Sequence, residues 1–229
     1  MHIKGLQKTT LLDFPDRVAC TVFTGGCNFR CPFCHNASLV LSPSIVTEIP
    51  MEEFFSFIKK RKGILDGVCI TGGEPLLQHD IIPFIERIKA EGYDVKLDTN
   101  GSFPEKLKDI VSRNLVDYIA MDIKNCEAKY PLTAGIEGDC ADIFRSIDFI
   151  MSCGVDYEFR TTVVKELHTL EDIESIAHRI NGARAYFLQN FKDSGDLICP
   201  DCSPHSEETM KKMLDIIKPH VGTCGLRGI

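Results

Sequence analysis

Short hydrophobic runs alternate along the chain with segments whose apolar residues recur every three or four positions. The runs predict buried strands at 17–24, 66–71, 94–99, 117–122, 157–164 and 183–188, with an edge strand at 221–227. The periodic segments predict helices at 51–62, 80–91, 104–113, 139–152, 170–180 and 207–218. Long loops are predicted at 38–49, 125–139 and 190–206, and long loops in a compact domain are often functional.

The alternation of strands and helices predicts an α/β fold of about six βα units. In such a fold the strands form a parallel sheet with the helices outside it. Because a closed barrel of this kind uses eight units, we predict a partial, open parallel barrel. The whole chain, residues 1–229, is expected to form a single domain.

Composition narrows the possible partners of the chain. Hydrophobic residues make up 44% of it, enough for a sizeable core, and the net charge is −7 without a basic stripe. Binding to nucleic acid is therefore not expected. No segment has the roughly 20 apolar residues that span a bilayer, and the N-terminus lacks the apolar core of a signal peptide. We expect a cytoplasmic protein that does not bind a membrane.

The eleven cysteines point to metal or redox chemistry rather than to disulfides. Cys27, Cys31 and Cys34 form a C-x3-C-x2-C pattern. Three thiolates so close in sequence can hold three corners of a cubane iron–sulfur cluster and leave one iron open for chemistry. The alternatives are a zinc site, with His35 as the fourth ligand, and three buried thiols without a metal.

Polar and glycine residues follow several predicted strands directly. They are Gly72, Gly73 and Glu74 after the second strand, Asp98 and Thr99 at the end of the third, and Asp122 and Lys124 at the end of the fourth. The cysteines follow the first strand. Because ligands bind at the carboxyl edge of parallel sheets, these strand ends are predicted to meet at one site.

The segment Cys27-x3-Cys31-x-Phe33-Cys34 resembles the signature of radical S-adenosylmethionine (SAM) enzymes. The resemblance implies one 4Fe-4S cluster per chain, held by Cys27, Cys31 and Cys34, with SAM bound at the open iron. It also implies that Phe33 packs near the adenine. The segment Gly72-Gly73-Glu74 would hold the amino group of the methionine moiety, since glycines admit a close ligand and Glu74 supplies a carboxylate.

Two further segments have functional and structural interpretations. Asp98 and Asp122 can hold ribose hydroxyls or a cation, and Lys124 can meet the carboxylate of SAM. Thr99 belongs to the same segment as Asp98. The alternatives are an Asn-Gly turn after Thr99 and a surface charge pair between Asp122 and Lys124.

The segments Leu-Asp-Thr-Asn-Gly at 97–101, Met-Asp-Ile-Lys at 121–124 and Cys-His-Asn at 34–36 resemble the activating enzymes of glycyl-radical proteins. The run at 5–15 and Leu-Arg-Gly at 226–228 are similar to the anaerobic ribonucleoside-triphosphate reductase activating proteins. This resemblance implies a glycyl-radical enzyme as protein substrate and a flavodoxin- or ferredoxin-like electron donor. The run at 5–15 can also be an ordinary strand and turn.

Two other functions stay open. A radical SAM enzyme acting on a small molecule would present polar side chains from the last strands, such as Arg160, Gln189 and Asn190. An iron–sulfur electron carrier or redox sensor would instead use its cluster only for electrons, although carriers usually fill all four corners. The pair Cys199 and Cys202, with Cys224, could bind a metal, form a redox pair or do neither.

Overall fold

The chain forms one eight-stranded sheet in a computed structural model that describes residues 1–228. The strands lie side by side in chain order. The first pair, β1 (Ile3–Thr10) and β2 (Ala19–Thr24), is antiparallel. All later neighbours are parallel; these strands are β3 (Gly67–Gly72), β4 (Asp94–Thr99), β5 (Tyr118–Asp122), β6 (Asp156–Val163), β7 (Ala185–Asn190) and β8 (Thr223–Arg227).

Helices connect the parallel strands. They are α1 (Ala37–Leu41), α2 (Met51–Lys59), α3 (Ile81–Ala90), α4 (Pro104–Ser112), α5 (Tyr130–Ala134), α6 (Ala141–Ser152), α7 (Leu170–Arg179) and α8 (Glu207–Ile217). Short 3-10 turns lie at Pro75–Leu77 and Glu127–Lys129. Every step between successive parallel strands from β2 to β8 therefore carries at least one helix.

This topology confirms the predicted fold class. The steps from β2 to β8 give the six expected βα units, and β1 and β8 are the two edges of the described sheet, which is not closed. The predicted edge strand at 221–227 is present as β8, parallel to β7. The run at 5–15 contributes most of β1 and the turn after it, as its structural interpretation predicts.

A row of aliphatic residues explains the register of the sheet. Val22 pairs with Ile70, Ile70 with Leu97, and Leu97 with Ile119, and all of them are fully buried. Neighbouring positions carry polar side chains instead, among them Lys96 on β4 and Glu158 on β6, which are also buried. A slip by one residue would exchange the aliphatic row with these polar side chains, so the alternation fixes the register.

The predicted loops at 38–49 and 125–139 are partly helical, so that part of the prediction is wrong. The first contains most of α1, whose Leu39 and Val40 are buried, and the second contains α5, whose Tyr130 and Ala134 are buried. Each helix has five residues, too few to show a helical period in the sequence. The loop predicted at 190–206 has no helix or strand beyond Asn190, where β7 ends.

None of the helices among residues 1–228 is both long and apolar enough to cross a membrane.

Candidate active site

The loop at 25–36 follows β2 and carries the three cysteines of the C-x3-C-x2-C pattern. Main-chain hydrogen bonds attach it to its surroundings. Gly26 N–H donates to the carbonyl of Leu39 over 2.8 Å, and Arg30 N–H donates to that of Ala134 over 2.9 Å. The two helices missed by the sequence, α1 and α5, thus each accept a hydrogen bond from the cysteine loop.

A cavity of about 260 Å³ lies at the carboxyl edge of the sheet. All eleven residues predicted for the site line it: Cys27, Cys31, Phe33, Cys34, Gly72, Gly73, Glu74, Asp98, Thr99, Asp122 and Lys124. They come from the ends of β2, β3, β4 and β5 and from the loops that follow these strands. The structure brings the predicted residues together, while their roles toward a cluster or SAM stay predictions.

The three thiols are free and face this cavity. Burial raises the pKa of Cys27 to about 11 and that of Cys31 to about 12. A thiolate at either position therefore needs a cation or a metal to compensate for its burial. A donor set of three soft thiols beside open space fits an iron–sulfur cluster with one iron left for another ligand.

The zinc alternative needs His35 as a fourth ligand beside the three cysteines. Within 1–228 no three His, Cys, Asp or Glu side chains, the three cysteines included, are arranged to hold a metal ion. The ring of His35 stacks on Phe191 at 5.5 Å between centroids. Burial, together with the charge of Lys124, lowers the pKa of His35 from its usual value, against the opposing effects of the Lys192 main chain and Asp193. We therefore assign His35 to packing at the rim of the cavity.

Glu74 is buried at the base of the cavity, with 1% of its surface exposed. Its Oε1 accepts hydrogen bonds from Leu76 N–H over 3.0 Å and from Thr99 Oγ1 over 2.8 Å, and its Oε2 accepts one from Asn100 N–H over 2.7 Å. Burial raises the pKa of Glu74 from 4.5 to about 7, against the opposing effect of these donors. The three donors thus orient the carboxyl, and its pKa lies near neutral pH.

Two glycines before Glu74 bring the end of β3 against the cysteine loop. Gly72 has φ of +111°, and a Cβ there would lie 2.3 Å from the backbone nitrogen of Thr24. A Cβ on Gly73 would lie 1.9 Å from the carbonyl oxygen of Gly26. No side chain fits at either position, because the obstacle in both cases is backbone. The close approach lets Glu74 N–H donate to Gly26 O over 2.9 Å.

Charged side chains form a partly buried network across β4, β5 and β6. Arg160 Nε lies 3.0 Å from Asp122 Oδ1, and an Arg160 Nη lies 3.3 Å from Asp98 Oδ2. Lys124 Nζ donates to Asp122 Oδ2 over 3.2 Å, and Lys96 pairs with Asp98. Burial raises the pKa of Asp122, but Arg160 and Lys124 outweigh it and hold that pKa at about 2.

The same network bears on the surface-pair interpretation of Asp122 and Lys124, while their role toward SAM stays a prediction. Their pair is not a surface pair, because only 16% of the Lys124 side chain is exposed. The pKa of Lys124 is raised, since Asp122 and Cys31 overcome the effect of burial. A cationic ammonium beside the cysteines can attract an anionic group in the cavity. The turn after Thr99 is also present, because Gly101 N–H donates to Thr99 Oγ1 over 3.1 Å.

Phe33 is buried, with 4% of its surface exposed. Its ring meets the imidazole of His168 edge-on at 6.3 Å between centroids. Phe33 also lines the cavity, so an aromatic edge is available to a planar ligand there. Its predicted contact with adenine stays a prediction.

Sequence reasoning missed Asn100 in the cavity wall. Asn100 lines the cavity and directs its side-chain amide toward Cys27 Sγ, 3.8 Å away. Of the polar side chains expected from the last strands, Arg160 and Gln189 line the cavity, together with Thr162 on β6. The segment 97–101 contains Asn100, and its place directly after Asp98 and Thr99 was the available signal. Asn100 was passed over because an Asn-Gly pair usually indicates only a turn.

The C-terminal cysteines lie away from the cavity wall. Cys199 and Cys202 lie in the loop after β7, where Cys199 N–H donates to the carbonyl of Pro32 over 2.9 Å. Cys224 lies in β8. Neither the pair nor Cys224 belongs to any arranged metal-binding group within 1–228. The loop therefore supports the cysteine segment through its backbone.

The model of the radical SAM superfamily matches residues 21–180. That range contains the three cysteines and all other predicted site residues, and it covers most of the chain. The chain belongs to the radical SAM superfamily. Membership makes it a radical SAM enzyme and implies a 4Fe-4S cluster and SAM as cofactors, which the donor set at the cavity fits.

Individual relatives fall into two groups. A protein of Methanocaldococcus jannaschii, provisionally named a glycyl-radical enzyme activating enzyme, is 31% identical and spans 99% of this chain and 96% of its own length. A 7-carboxy-7-deazaguanine synthase of Thermoplasma acidophilum is 32% identical over 56% of this chain and 57% of its own. The first relative is therefore similar over nearly its whole length, and the second over a little more than half of its own length.

A solved structure supports the fold independently. A domain of the pyruvate-formate lyase-activating enzyme from Bacteroides vulgatus superposes with a TM-score of 0.59 at 18% identity. The match covers 71% of this chain and 99% of that domain. At this identity the likeness concerns the fold of the radical SAM proteins.

Proposed function

We propose that this radical SAM enzyme generates a glycyl radical on a partner enzyme, with anaerobic ribonucleoside-triphosphate reductase as the preferred candidate. The observation that carries the proposal is the near-complete match to the activating enzyme of M. jannaschii, which spans 99% of this chain. The segments at 5–15, 97–101, 121–124 and 226–228 support the reductase as the partner. The electron would come from a flavodoxin- or ferredoxin-like donor in the cytoplasm.

In this proposal Cys27, Cys31 and Cys34 hold one 4Fe-4S cluster, and SAM binds beside it. When bound, the reduced cluster supplies the electron that splits SAM into methionine and a 5′-deoxyadenosyl radical. Glu74 orients the amino group of SAM, and Lys124 attracts its carboxylate. Gly72 and Gly73 allow the close approach, and Phe33 packs against the adenine.

The remaining polar residues position these groups. Asp98 and Asp122 would accept hydrogen bonds from the ribose hydroxyls, and Thr99 holds the Glu74 carboxyl by donating to Oε1 over 2.8 Å. Because the sheet ends at β1 and β8 without closing, the partner can supply walls that this chain lacks. Exclusion of water would then depend on the complex and not on this chain alone.

A small-molecule substrate is the second candidate, favoured by the similarity to the 7-carboxy-7-deazaguanine synthase. Such a substrate needs polar groups from the last strands. Thr162 and Gln189 line the cavity, but Arg160 is occupied by Asp98 and Asp122. Asn190 exchanges two hydrogen bonds with the main chain of His205 and is absent from the cavity wall. These contacts leave few groups for a small molecule.

The test has two stages, both in the absence of oxygen. The protein is reconstituted with iron and sulfide, reduced with dithionite and mixed with SAM, and we expect methionine and 5′-deoxyadenosine. A Cys27→Ala variant is the control and should form neither product. Incubation with candidate glycyl-radical enzymes should then give a glycyl-radical signal in the electron paramagnetic resonance (EPR) spectrum.

Each stage can contradict a different part of the proposal. A wild-type protein that binds a cluster but never cleaves SAM would overturn the assignment of the cavity. Cleavage of SAM with no radical on any glycyl-radical partner, combined with turnover of a small molecule, would favour the second candidate. A partner whose radical-bearing glycine is replaced by alanine serves as the control for the EPR signal.

A further inference from the structure

Asn100 contacts two groups that the proposed function uses. It follows β4 directly, and only 6% of its surface is exposed. Its side-chain Nδ2 lies 3.8 Å from Cys27 Sγ, within hydrogen-bonding range for sulfur. Its main-chain N–H donates to Glu74 Oε2 over 2.7 Å. One residue therefore links a predicted cluster ligand to a predicted SAM ligand.

The orientation of the Asn100 amide follows from its other hydrogen bonds. Ser102 N–H donates to Asn100 Oδ1 over 2.9 Å, and a main-chain N–H can only donate. The Ser102 hydroxyl lies 2.6 Å from the same oxygen. On the other end, Nδ2 donates to Asn28 Oδ1 over 3.0 Å. The oxygen therefore faces Ser102, and the amino group faces Cys27 and Asn28.

The surroundings of Cys27 and Cys31 differ. Cys27 Sγ accepts from Phe29 N–H over 3.3 Å in addition to the Asn100 amide. Cys31 instead donates its thiol to the carbonyl of Ala134 over 3.6 Å. Hydrogen-bond donors around Cys27 stabilise a negatively charged sulfur, whereas the carbonyl beside Cys31 does not.

We propose that Asn100 is a positioning residue that directs an N–H donor at the Cys27 sulfur and thereby raises the reduction potential of the cluster. This inference rests on the proposed function, because it needs Cys27 to be a cluster ligand. Hydrogen bonds to the sulfurs of a cluster favour its reduced, more negative form. Loss of the donor should therefore make the bound cluster harder to reduce.

The first test compares Asn100→Leu with Asn28→Leu after anaerobic reconstitution of the full chain. Both variants lose a side-chain amide from the same network, but of the two amides only that of Asn100 donates to Cys27 Sγ. The midpoint potential is measured by redox titration with EPR detection of the reduced cluster. We expect a lower potential in Asn100→Leu and the wild-type value in Asn28→Leu. Equal potentials in Asn100→Leu and wild type would overturn the inference.

A second pair keeps the test decisive if Asn100→Leu does not fold. Asn100→Asp puts an oxygen where Nδ2 faces Cys27 and can still accept from Ser102, while Asn28→Asp adds the same charge nearby. We expect the potential to fall more in Asn100→Asp than in Asn28→Asp, and equal shifts would overturn the inference. A wild-type protein that takes up no cluster would instead overturn the proposed function, and with it this inference.

Discussion

Thr99 Oγ1 donates a hydrogen bond to Glu74 Oε1 over 2.8 Å at the base of the cavity. The same carboxyl also accepts hydrogen bonds from the main-chain N–H groups of Leu76 and Asn100. Such donors favour the ionised form, but burial has the larger effect and raises the pKa of Glu74 to about 7. The cavity therefore contains a carboxyl that changes charge near neutral pH.

The Glu74 carboxyl should make the stability of the cofactor-free protein depend on pH. A folded-state pKa of about 7 against 4.5 means that the folded protein binds the proton more tightly than the unfolded chain. Stability is therefore lost as pH rises from about 4.5 to 7, by an amount of roughly 3 kcal/mol. Urea unfolding of wild type and Glu74→Gln across this range measures it.

We expect the wild type to lose stability relative to Glu74→Gln between pH 4.5 and 7, whatever the constant offset between the two proteins. The offset itself reflects the loss of one acceptor oxygen, because an amide cannot accept both from Asn100 N–H and from the Leu76 and Thr99 donors on the other oxygen. Parallel pH profiles of the two proteins would contradict a raised pKa of Glu74. The difference in unfolding free energy between the two proteins isolates Glu74, because all other titrating groups contribute equally to both profiles.

Thr99→Val tests the hydrogen bond from Thr99 Oγ1 to Glu74 Oε1. The substitution conserves shape but leaves Glu74 Oε1 with one donor fewer and Gly101 N–H without its acceptor. We expect a loss of about 1–3 kcal/mol in the free energy of unfolding and a further rise in the pKa of Glu74. Thr162→Val is the matched control, since Thr162 also lines the cavity but makes no side-chain hydrogen bond among the described residues. Equal losses in both variants would contradict the role of Thr99.

The fold was predictable because its signals are local. Aliphatic runs such as that around Val22 and Ile70 indicate buried parallel strands, and helical periodicity locates the helices between them. The short helices α1 and α5 were not predicted, because five residues are too few to show the helical period of apolar positions. Their formation depends on packing against the cysteine loop, as in the bond from Arg30 to Ala134.

The site was predictable in its members but not in its connections. Strand order alone brings Cys27, Glu74 and Lys124 to one edge, because parallel strands end on the same side. The sequence could not indicate that Arg160 bridges Asp98 and Asp122, since this depends on side chains from three strands. The hydrogen bond from Ser102 N–H that orients the Asn100 amide forms only in the folded turn, so the sequence could not indicate it either.

Arg160 should contribute far more to stability than an exposed arginine with the same type of partner. Only 13% of its side chain is exposed, and it pairs with both Asp98 and Asp122. Arg160→Gln leaves two partly buried carboxylates with less compensation, at a cost of about 1.5–3 kcal/mol. Arg184→Gln removes an exposed pair with Asp156 and should cost less than about 1 kcal/mol.

The cost of Arg160→Gln should also shrink in acid. Arg160 helps to hold the pKa of Asp122 at about 2, below its usual 3.8, so this stabilisation is present above pH 3.8 and is lost as pH falls toward 2. Chemical unfolding at pH 7 and below pH 4 checks both statements. A cost below about 1 kcal/mol at pH 7 would mean that Arg160 is not the compensating charge.

Gly73→Ala should disturb the cysteine loop directly. The added Cβ would lie 1.9 Å from the carbonyl oxygen of Gly26, so β3 and the loop must separate. We expect reduced iron uptake on reconstitution and lower stability. Gly63→Ala is the control, because a Cβ there has open space and meets only the strain of a positive φ of +78°, about 1 kcal/mol. Normal iron uptake by Gly73→Ala would show that the loop tolerates the separation.

Removal of single cysteines should separate the cavity thiols from the C-terminal pair. Cys31→Ala removes a cavity-lining thiol, whereas Cys199→Ala and Cys202→Ala change a loop that contacts the cysteine segment through the backbone of Cys199. We expect Cys31→Ala to lose most bound iron and sulfide after reconstitution, and the other two variants to bind as much as wild type. This follows because the Cys199 bond to Pro32 uses a main-chain N–H that alanine retains. Loss of iron in Cys199→Ala or Cys202→Ala would instead assign a metal to the pair.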